Sequence, residues 1–347
     1  MRVLFLTLYP EAAASPRYRV GQFLPHLRAE GLDCTVASAV TPDQYGRLTG
    51  PGRRVRPFWY HAAESPRRLM QIMGSRGFDV VFVQKAIMTA YVRGFLGLLR
   101  RRARRIVYDF DDAVHLAPPH PLRAPWRILE EREQVSELIR CANLVLAGNS
   151  WLAQESKNPN TVVFPTVVDT DRFSPAPQSA ETYRIGWIGS PSTAPCLKPA
   201  AEALTSSPDS EVCLVGAGDA HDFPFKADHR PWSYDTEVEL LRTFSVGIMP
   251  LLKTDWMRGK CALKALQYMA CGVPCIATPF GAVRELIRHG ENGFFADSTS
   301  EWRDAFERLR DPELRRRIGQ AGRATVEARY ALSGAAPRLV ELLESVV

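Results

Sequence analysis

No stretch of this 347-residue sequence approaches the ~18 consecutive apolar residues that a bilayer-spanning helix needs. The opening residues 1–10 carry one basic residue and a short apolar run. No small-residue cleavage pattern precedes the polar SPRYR, so they read as a buried strand rather than a secretory signal. The 7 cysteines, Cys34, Cys141, Cys196, Cys213, Cys261, Cys271 and Cys275, form no CxxC pair and no Cys/His metal spacing. Scattered thiols of odd number fit a reducing compartment, hence a cytoplasmic location. No complete G-x-G-x-x-G occurs where a dinucleotide site would need it. The VGAGD segment at 215–219 offers two glycines, in the third element of its half. There is no internal repeat of 20–50 residues. Neither sign of charge dominates: Lys plus Arg is 44, Asp plus Glu is 38, and the net is +6. That balance suits an anionic substrate or a membrane surface. The basic residues are dispersed without interleaved aromatics, which argues against nucleic acid.

What the sequence does contain is an alternation. Hydrophobic residues make up 46% and charged residues 24%, ordinary for a globular chain, and the length suits two domains of ~150 residues. Strand-like runs are expected at 3–8, 32–39, 80–84, 105–110 and 144–147. Helical patterns fall between them, among them 67–73, 128–141 and one opened by Ser15 as N-cap and kinked at Pro25. A Pro-rich stretch at 165–178 reads as a linker. The alternation then restarts with strands at 184–188, 211–215, 246–249 and 274–277. Helices are expected at 198–204, 238–244, 260–270 and 283–287, with a helical tail from 301 interrupted near Gly334. This predicts α/β architecture with two doubly wound parallel sheets.

Ligands of such sheets bind beyond the carboxyl ends of the strands, and the chemistry-bearing residues gather there. Arg17 and Arg19 follow the first strand. Asp109, Asp111 and Asp112 lie at the end of the fourth. Asn149 and Ser150 follow the fifth. Gly189, Ser190, Ser192 and Thr193 follow the restart, with Lys198 the nearest cation. Arg258, Gly259, Lys260 and Cys261 precede a helix pattern through Ala262, Leu263 and Gln267. A helix start offers free N–H groups and a positive dipole end, Lys260 adds a full charge, and Gly259 permits close approach. Anion binding and a solvated basic turn are both consistent with that segment. The 190–193 hydroxyls suit either phosphate contact or a helix cap. The acidic D-x-D is also the pattern of a hard-cation site, but the restarted α/β units and the basic helix start already supply positive charge, so Asp111 and Asp112 read as orienting an acceptor or as capping the next segment. His115 and His120 lack a third ligand at suitable spacing and read as loop residues. Trp232 and Tyr234 read as a base-packing pair or as core.

The segment DWMRGKCALKALQYMACGVPCIATPFGAVRELIRHGENGFFA, residues 255–296, resembles the donor-binding element of the family-four retaining glycosyltransferases (glycosyl transferases group 1) with the GT-B fold. The likeness extends through VYDFDD, NSWLA, PTVVDTDRF, YRIGWIGSPST, VCLVGAGD and VGIMPL. It implies two Rossmann-like domains facing a central cleft: 1–167 on the acceptor side, 168–330 on the donor side, and a helix at 331–347 returning to the first. It implies a nucleotide-diphosphate sugar as co-substrate, a sugar, lipid-linked or natural-product acceptor, and no metal or other cofactor. Lys260, with Asp111 and Asp112, would be catalytic. Gly189, Ser190, Ser192, Thr193, Lys198, Arg258, Gly259, Cys261, Ala262, Leu263 and Gln267 would bind the donor. Arg17, Arg19, Asn149 and Ser150 would line the acceptor side or cleft. The sequence departs from the family pattern E-x7-E, whose positions fall on Gly259 and Gln267, and resembles a branch with GKC-x-x-K-A-L-Q-Y-M-A. The alternatives are a sugar-nucleotide epimerase or phosphorylase on the same fold, or a non-catalytic nucleotide-sugar-binding protein. The arginine run Arg100, Arg101, Arg102, Arg104 and Arg105, after apolar Phe95, Leu96, Leu98 and Leu99, reads either as a solvated helix end or as a peripheral contact with the inner membrane face.

Overall fold

The computed structural model describes residues 1–49, 57–117, 121–122, 124–176, 182–207, 209–218 and 222–347. His120, Asp219 and the end of the expected linker lie outside the described residues. The chain divides into two compact units. Unit 1 is Met1–Thr166 with Ser333–Val347, and unit 2 is Val167–Leu332.

Unit 1 holds β1 (Arg2–Thr7), β2 (Asp33–Ser38), β3 (Val80–Gln84), β4 (Ile106–Phe110), β5 (Leu144–Ala147) and β6 (Thr161–Val163), in the order β2-β1-β3-β4-β5-β6. Every pairing is parallel. The strands β3, β4 and β5 are buried throughout, because helices cover both faces of a parallel sheet. The chain runs from β1 to β2 on one side and returns to β3 on the other, so the topological switch point lies between β1 and β3. The helix Leu332–Glu344 joins this unit: Arg338 donates to Val163 O at 3.1 Å and lies over the Phe164 ring, while Arg105 Nε donates to Val346 O at 2.7 Å.

Unit 2 repeats the scheme with β7 (Arg184–Ile188), β8 (Glu211–Val215), β9 (Asp228–Arg230), β10 (Val246–Met249), β11 (Cys275–Ala277) and β12 (Phe294–Phe295), in the order β12-β11-β10-β7-β8-β9. All its pairings are parallel as well, and its switch point lies between β7 and β10. Gly186 and Gly247 are partners in register there. A Cβ on Gly186 would fall 2.0 Å from the Phe244 ring, and one on Gly247 would fall 2.3 Å from the Tyr268 ring. Two glycines thus let aromatic rings reach the sheet at its centre.

Several local expectations give way to tertiary structure. Ser15 does not cap its helix. Ala13 does, over Ala14–Arg19, and a 3₁₀ turn and a separate helix, Leu24–Ala29, follow, with Pro25 in its first turn instead of kinking a longer helix. The helix expected at 128–141 begins only at Gln134. The segment expected as a helix at 198–204 is a 3₁₀ stretch, Ala194–Ala200, leading into Ala201–Thr205, since Pro195 and Pro199 supply no amide to an α-helix. The tail breaks at residues 309–311 and 330–331 rather than at Gly334, which lies inside the last helix. The short strands β6, β9 and β12 have two or three residues each, too few to show a period.

Candidate functional site

At the switch point of unit 2, Ile188 N–H donates to Tyr268 Oη at 2.9 Å, and that hydroxyl donates to Ile248 O at 3.3 Å. One side chain of the helix Leu263–Ala270 thereby pins the ends of β7 and β10. Beyond β7, Gly189 N–H donates to Val215 O at 3.0 Å. Gly216 is left-handed at φ 76°, and a Cβ on it would strike Gly189 O at 2.3 Å. The next residues form a hydroxyl-lined turn. Ser190 N–H donates to Thr193 Oγ1 at 3.1 Å, and the Ser190 and Ser192 hydroxyls lie 2.9 Å apart, both exposed.

Three cations lie on or just before the helix Leu263–Ala270, each over an aromatic face. Arg258 lies over Phe280 at 5.2 Å, Lys260 over Trp256 at 5.9 Å, and Lys264 over Trp187 at 5.3 Å. All three are half-buried. Such a contact supports the ammonium or guanidinium from one side. Lys264 also packs on the turn, because a Cβ on Gly189 would come within 2.9 Å of its Cε. Cys196 Sγ, 4.0 Å from Met257 Sδ, ties the following 3₁₀ segment to the helix Asp255–Arg258.

The helix does not begin at Lys260 as expected. Ala262 takes a left-handed φ of 56° while almost fully buried, and the helix starts at Leu263. A Cβ-bearing residue in that conformation is strained, and such strain clusters at functional sites. Its consequence is that Lys264, not Lys260, stands in the first helical turn. Leu266 N–H, bonded to Ala262 O at 3.1 Å, is the first amide turned back into the helix. The amides before it point out of the helix start, toward where an anion is best held. Arg258, Gly259, Lys260 and Cys261 form the approach to this start, and Cys261 Sγ contacts Gly259 O at 3.6 Å. Gln267 is only 4% exposed, so little of its amide reaches the surface. Lys198 is exposed on the 3₁₀ segment. Trp232 Nε1 donates to Glu237 at 2.8 Å. Arg172 forms an ion pair with the same carboxylate at 2.9 Å and lies 3.6 Å over half-exposed Tyr234.

In unit 1 the strand-end residues are bonded to one another. Arg19, 1% exposed, forms an ion pair with Asp109 and donates to Phe164 O at 2.8 Å. It is a core pin, and the expectation that it lines a cleft is corrected: its guanidinium is used inside the unit. Arg17 is half-buried, 5.5 Å over the Tyr18 ring. Burial lifts the Asp109 carboxyl to about 6 against the opposing pull of Arg19. Asp112 pairs with buried Lys85, a residue to which the sequence reading gave no role. Burial works to lower the Lys85 ammonium, but Asp112 and then Asp111 outweigh it and hold it above its ordinary value. Lys85 is itself left-handed at φ 72°. Asp111 is half-buried, accepts from Ser15 Oγ at 2.8 Å, and Ser15 in turn accepts from Gln84 Nε2 at 2.6 Å.

Asn149 is placed differently from expectation, while Ser150, half-buried, opens the helix that follows it. Asn149 is 2% exposed, and its Oδ1 accepts from Leu152 N–H at 2.8 Å, capping the helix Ser150–Ser156. His115 packs beside Phe110 and Trp151, its buried ring nitrogens without a hydrogen-bond partner among the described residues, and burial lowers its pKa. Among the described residues no three His, Cys, Asp or Glu side chains converge as a metal cage, since Asp109, Asp111 and Asp112 each turn to a different partner. The arginine run is largely exposed, but Leu96 and Leu99 of its helix face inward and are buried.

Residues 196–311, within unit 2, match the family model described as Glycosyl transferases group 1. A 71-residue stretch is 39% identical to the N-acetyl-alpha-D-glucosaminyl L-malate synthase of Bacillus anthracis, covering 20% of this chain and 19% of that protein. An 83-residue stretch is 36% identical to the D-inositol 3-phosphate glycosyltransferase of Pseudarthrobacter chlorophenolicus, covering 23% and 19%. The matched stretches span about a fifth of the length of these curated relatives. Over nearly its whole length the chain is similar in fold to the sucrose-phosphate synthase of Thermosynechococcus elongatus, with a TM-score of 0.74 and 14% identity over 99% of this chain and 98% of the other. It is likewise similar to HepE of Anabaena in complex with UDP-glucose, with a TM-score of 0.69 and 15% identity over 99% and 100%. The fold is GT-B: two α/β units, each with a six-stranded parallel sheet.

Proposed function

We propose that the chain is a glycosyltransferase that takes a nucleotide-diphosphate sugar and transfers the sugar, with retained configuration, to an acceptor hydroxyl or amine. The observation that carries this reading is the unit 2 switch point, where Lys264 packs on a hydroxyl-lined turn just after a strained helix start that Arg258 and Lys260 lead into. Cations, outward amides and hydroxyls on one small surface suit a diphosphate. The family match over the same unit and the UDP-glucose complex of a fold neighbour support a UDP-sugar as the first donor to test. In this reading the bond from sugar to diphosphate breaks and a bond to the acceptor forms on the same face. The acceptor proton passes to the leaving diphosphate, whose charge the cations stabilise. Asp111, the half-buried carboxylate of the unit 1 cluster, is assigned to orient the acceptor, and Lys85 to fix Asp112 beside it.

The test is a thermal-shift and titration screen with UDP-, GDP-, dTDP- and CMP-sugars, followed by NMR of the product anomer. Stabilisation by one donor, lost in Lys260→Ala and Lys264→Met, and a product of retained configuration are expected. Donor binding with neither transfer nor slow hydrolysis would favour a non-catalytic binding protein, a reading that Gly259 sustains by standing where the family pattern has a carboxylate. Donor conversion that ignores acceptor would favour an epimerase.

A further inference from the structure

Residues 124–129, Ala-Pro-Trp-Arg-Ile-Leu, are all exposed, with Trp126 at 49%, Ile128 at 74% and Leu129 at 46%. Had the helix started at residue 128, as its pattern suggests, Ile128 and Leu129 would belong to its apolar face. It starts at Gln134, and the chain between holds these side chains outward. The cap is firmly set. Arg93 N–H donates to Leu129 O at 2.9 Å, Glu131 N–H to Tyr91 O at 2.7 Å, and Gln134 Nε2 to Val92 O at 2.9 Å, with a bridge between Val92 and Glu130. Glu130 is buried and accepts from Leu122 N–H. The segment to which the cap is fastened, residues 85–108, holds one lysine, six arginines and no carboxylate. Its helix Phe95–Arg102 turns Gly97, Arg100 and Arg101 outward, in line with exposed Arg93 and Arg104.

We infer that this face of unit 1 docks on an anionic bilayer, with Trp126, Ile128 and Leu129 entering the interface and Arg93, Arg127, Arg100 and Arg101 meeting lipid phosphates, while Arg104 pairs with Asp79. Charge chooses the occupant. A second copy across a two-fold axis would set arginines against arginines, whereas an anionic leaflet attracts them. The arginine helix by itself offers little apolar surface, because Leu96 and Leu99 are spent in the core and only Phe95 and Leu98 are half-exposed. The cap supplies it, and a Trp with flanking Arg suits the headgroup boundary. The inference is independent of the reaction proposed above.

The experiment is co-sedimentation of the full chain with vesicles of phosphatidylcholine, alone or with about 30% phosphatidylglycerol. Binding to the anionic vesicles, weakened by salt, is expected. The triple variant Trp126→Ser, Ile128→Ser, Leu129→Ser changes only exposed side chains and should lower partition on the order of tenfold or more. Arg93→Gln with Arg100→Gln and Arg101→Gln should lower it too and flatten the salt dependence. Wild type left in the supernatant with anionic vesicles at low salt overturns the inference. So does binding unchanged in the triple variant, or gel filtration in which that variant turns a dimer into a monomer.

Discussion

The two units place charge at their strand ends in opposite ways. In unit 1 the cations are locked: Arg19 is buried against Asp109 and Lys85 against Asp112. In unit 2 Arg258, Lys260 and Lys264 rest half-buried on aromatic rings. A buried cation with a carboxylate partner is already neutralised and is committed to structure. A half-buried, ring-supported cation, even one such as Arg258 that also pairs with exposed Asp255 at 3.8 Å, has partners that water screens and can still turn part of its field to an incoming anion. The same residue types therefore divide into fold and site by what lies beside them.

The sharpest way to break this contrast is to remove one cation from each unit. Arg19→Met should cost about 3–5 kcal/mol of stability in denaturant titration, because it strands Asp109 in the core. The double change Arg19→Met, Asp109→Leu should recover most of that loss, since burying the pair already costs much of what its attraction returns. A single variant as stable as wild type would mean that Arg19 is not the pin described here. The elevated Asp109 carboxyl gives a second handle on the same pair. Its native value of about 6 lies above its ordinary one near 3.9, so the native state holds the proton longer. Stability contributed by this group is fully present below pH ~4 and is lost as pH rises through about 6, an effect of up to about 3 kcal/mol. The denaturation midpoint should therefore fall across that window in wild type, and that component should vanish in the double variant. An identical pH slope in both proteins would remove Asp109 as its source.

In unit 2 the expected signature is reversed. Lys264→Met should leave stability within about 1 kcal/mol of wild type, the range of an exposed cation–π contact. The same change should weaken binding of the responding nucleotide-sugar by on the order of tenfold, or lower turnover by about a hundredfold if the charge acts mainly in the transition state. Loss of stability without loss of donor affinity would make Lys264 a packing residue and collapse the contrast.

Much of the scaffold was legible in the sequence. Runs such as Val80–Gln84 and Ile106–Phe110 announce buried parallel strands, and the restart after residue 165 announces a second sheet. The site was read unevenly. Lys260 and the 190–193 hydroxyls stand out by local chemistry. Lys264 was hidden because helical periodicity started the helix at residue 260 and put it in the middle, and no local signal reveals that Ala262 turns left-handed. Arg19 and Asn149 looked available because sequence shows charge and polarity but not partners. Asp109 is 90 residues from Arg19, and a pairing across that separation is visible only in the folded sheet. Lys85 was missed for the same reason: a lysine closing an apolar strand ordinarily points to water.

The smallest test concerns that left-handed alanine. An L-residue in this region costs roughly 1–2 kcal/mol, and glycine avoids the cost but gives back about 0.5–1 kcal/mol in chain entropy. Ala262→Gly should therefore raise stability by only about 0.5–1 kcal/mol, measured as a higher thermal midpoint. The informative part is the pairing of readouts. Strain that merely accompanies packing would be relieved without consequence for ligands. Strain that aims Lys264 and the outward amides should, once relieved, loosen them, so that donor affinity falls while the midpoint rises. A stabilised variant with undiminished affinity would show that the helix start is held by its neighbours, chiefly Tyr268 between β7 and β10, and that the backbone at Ala262 follows the site rather than building it.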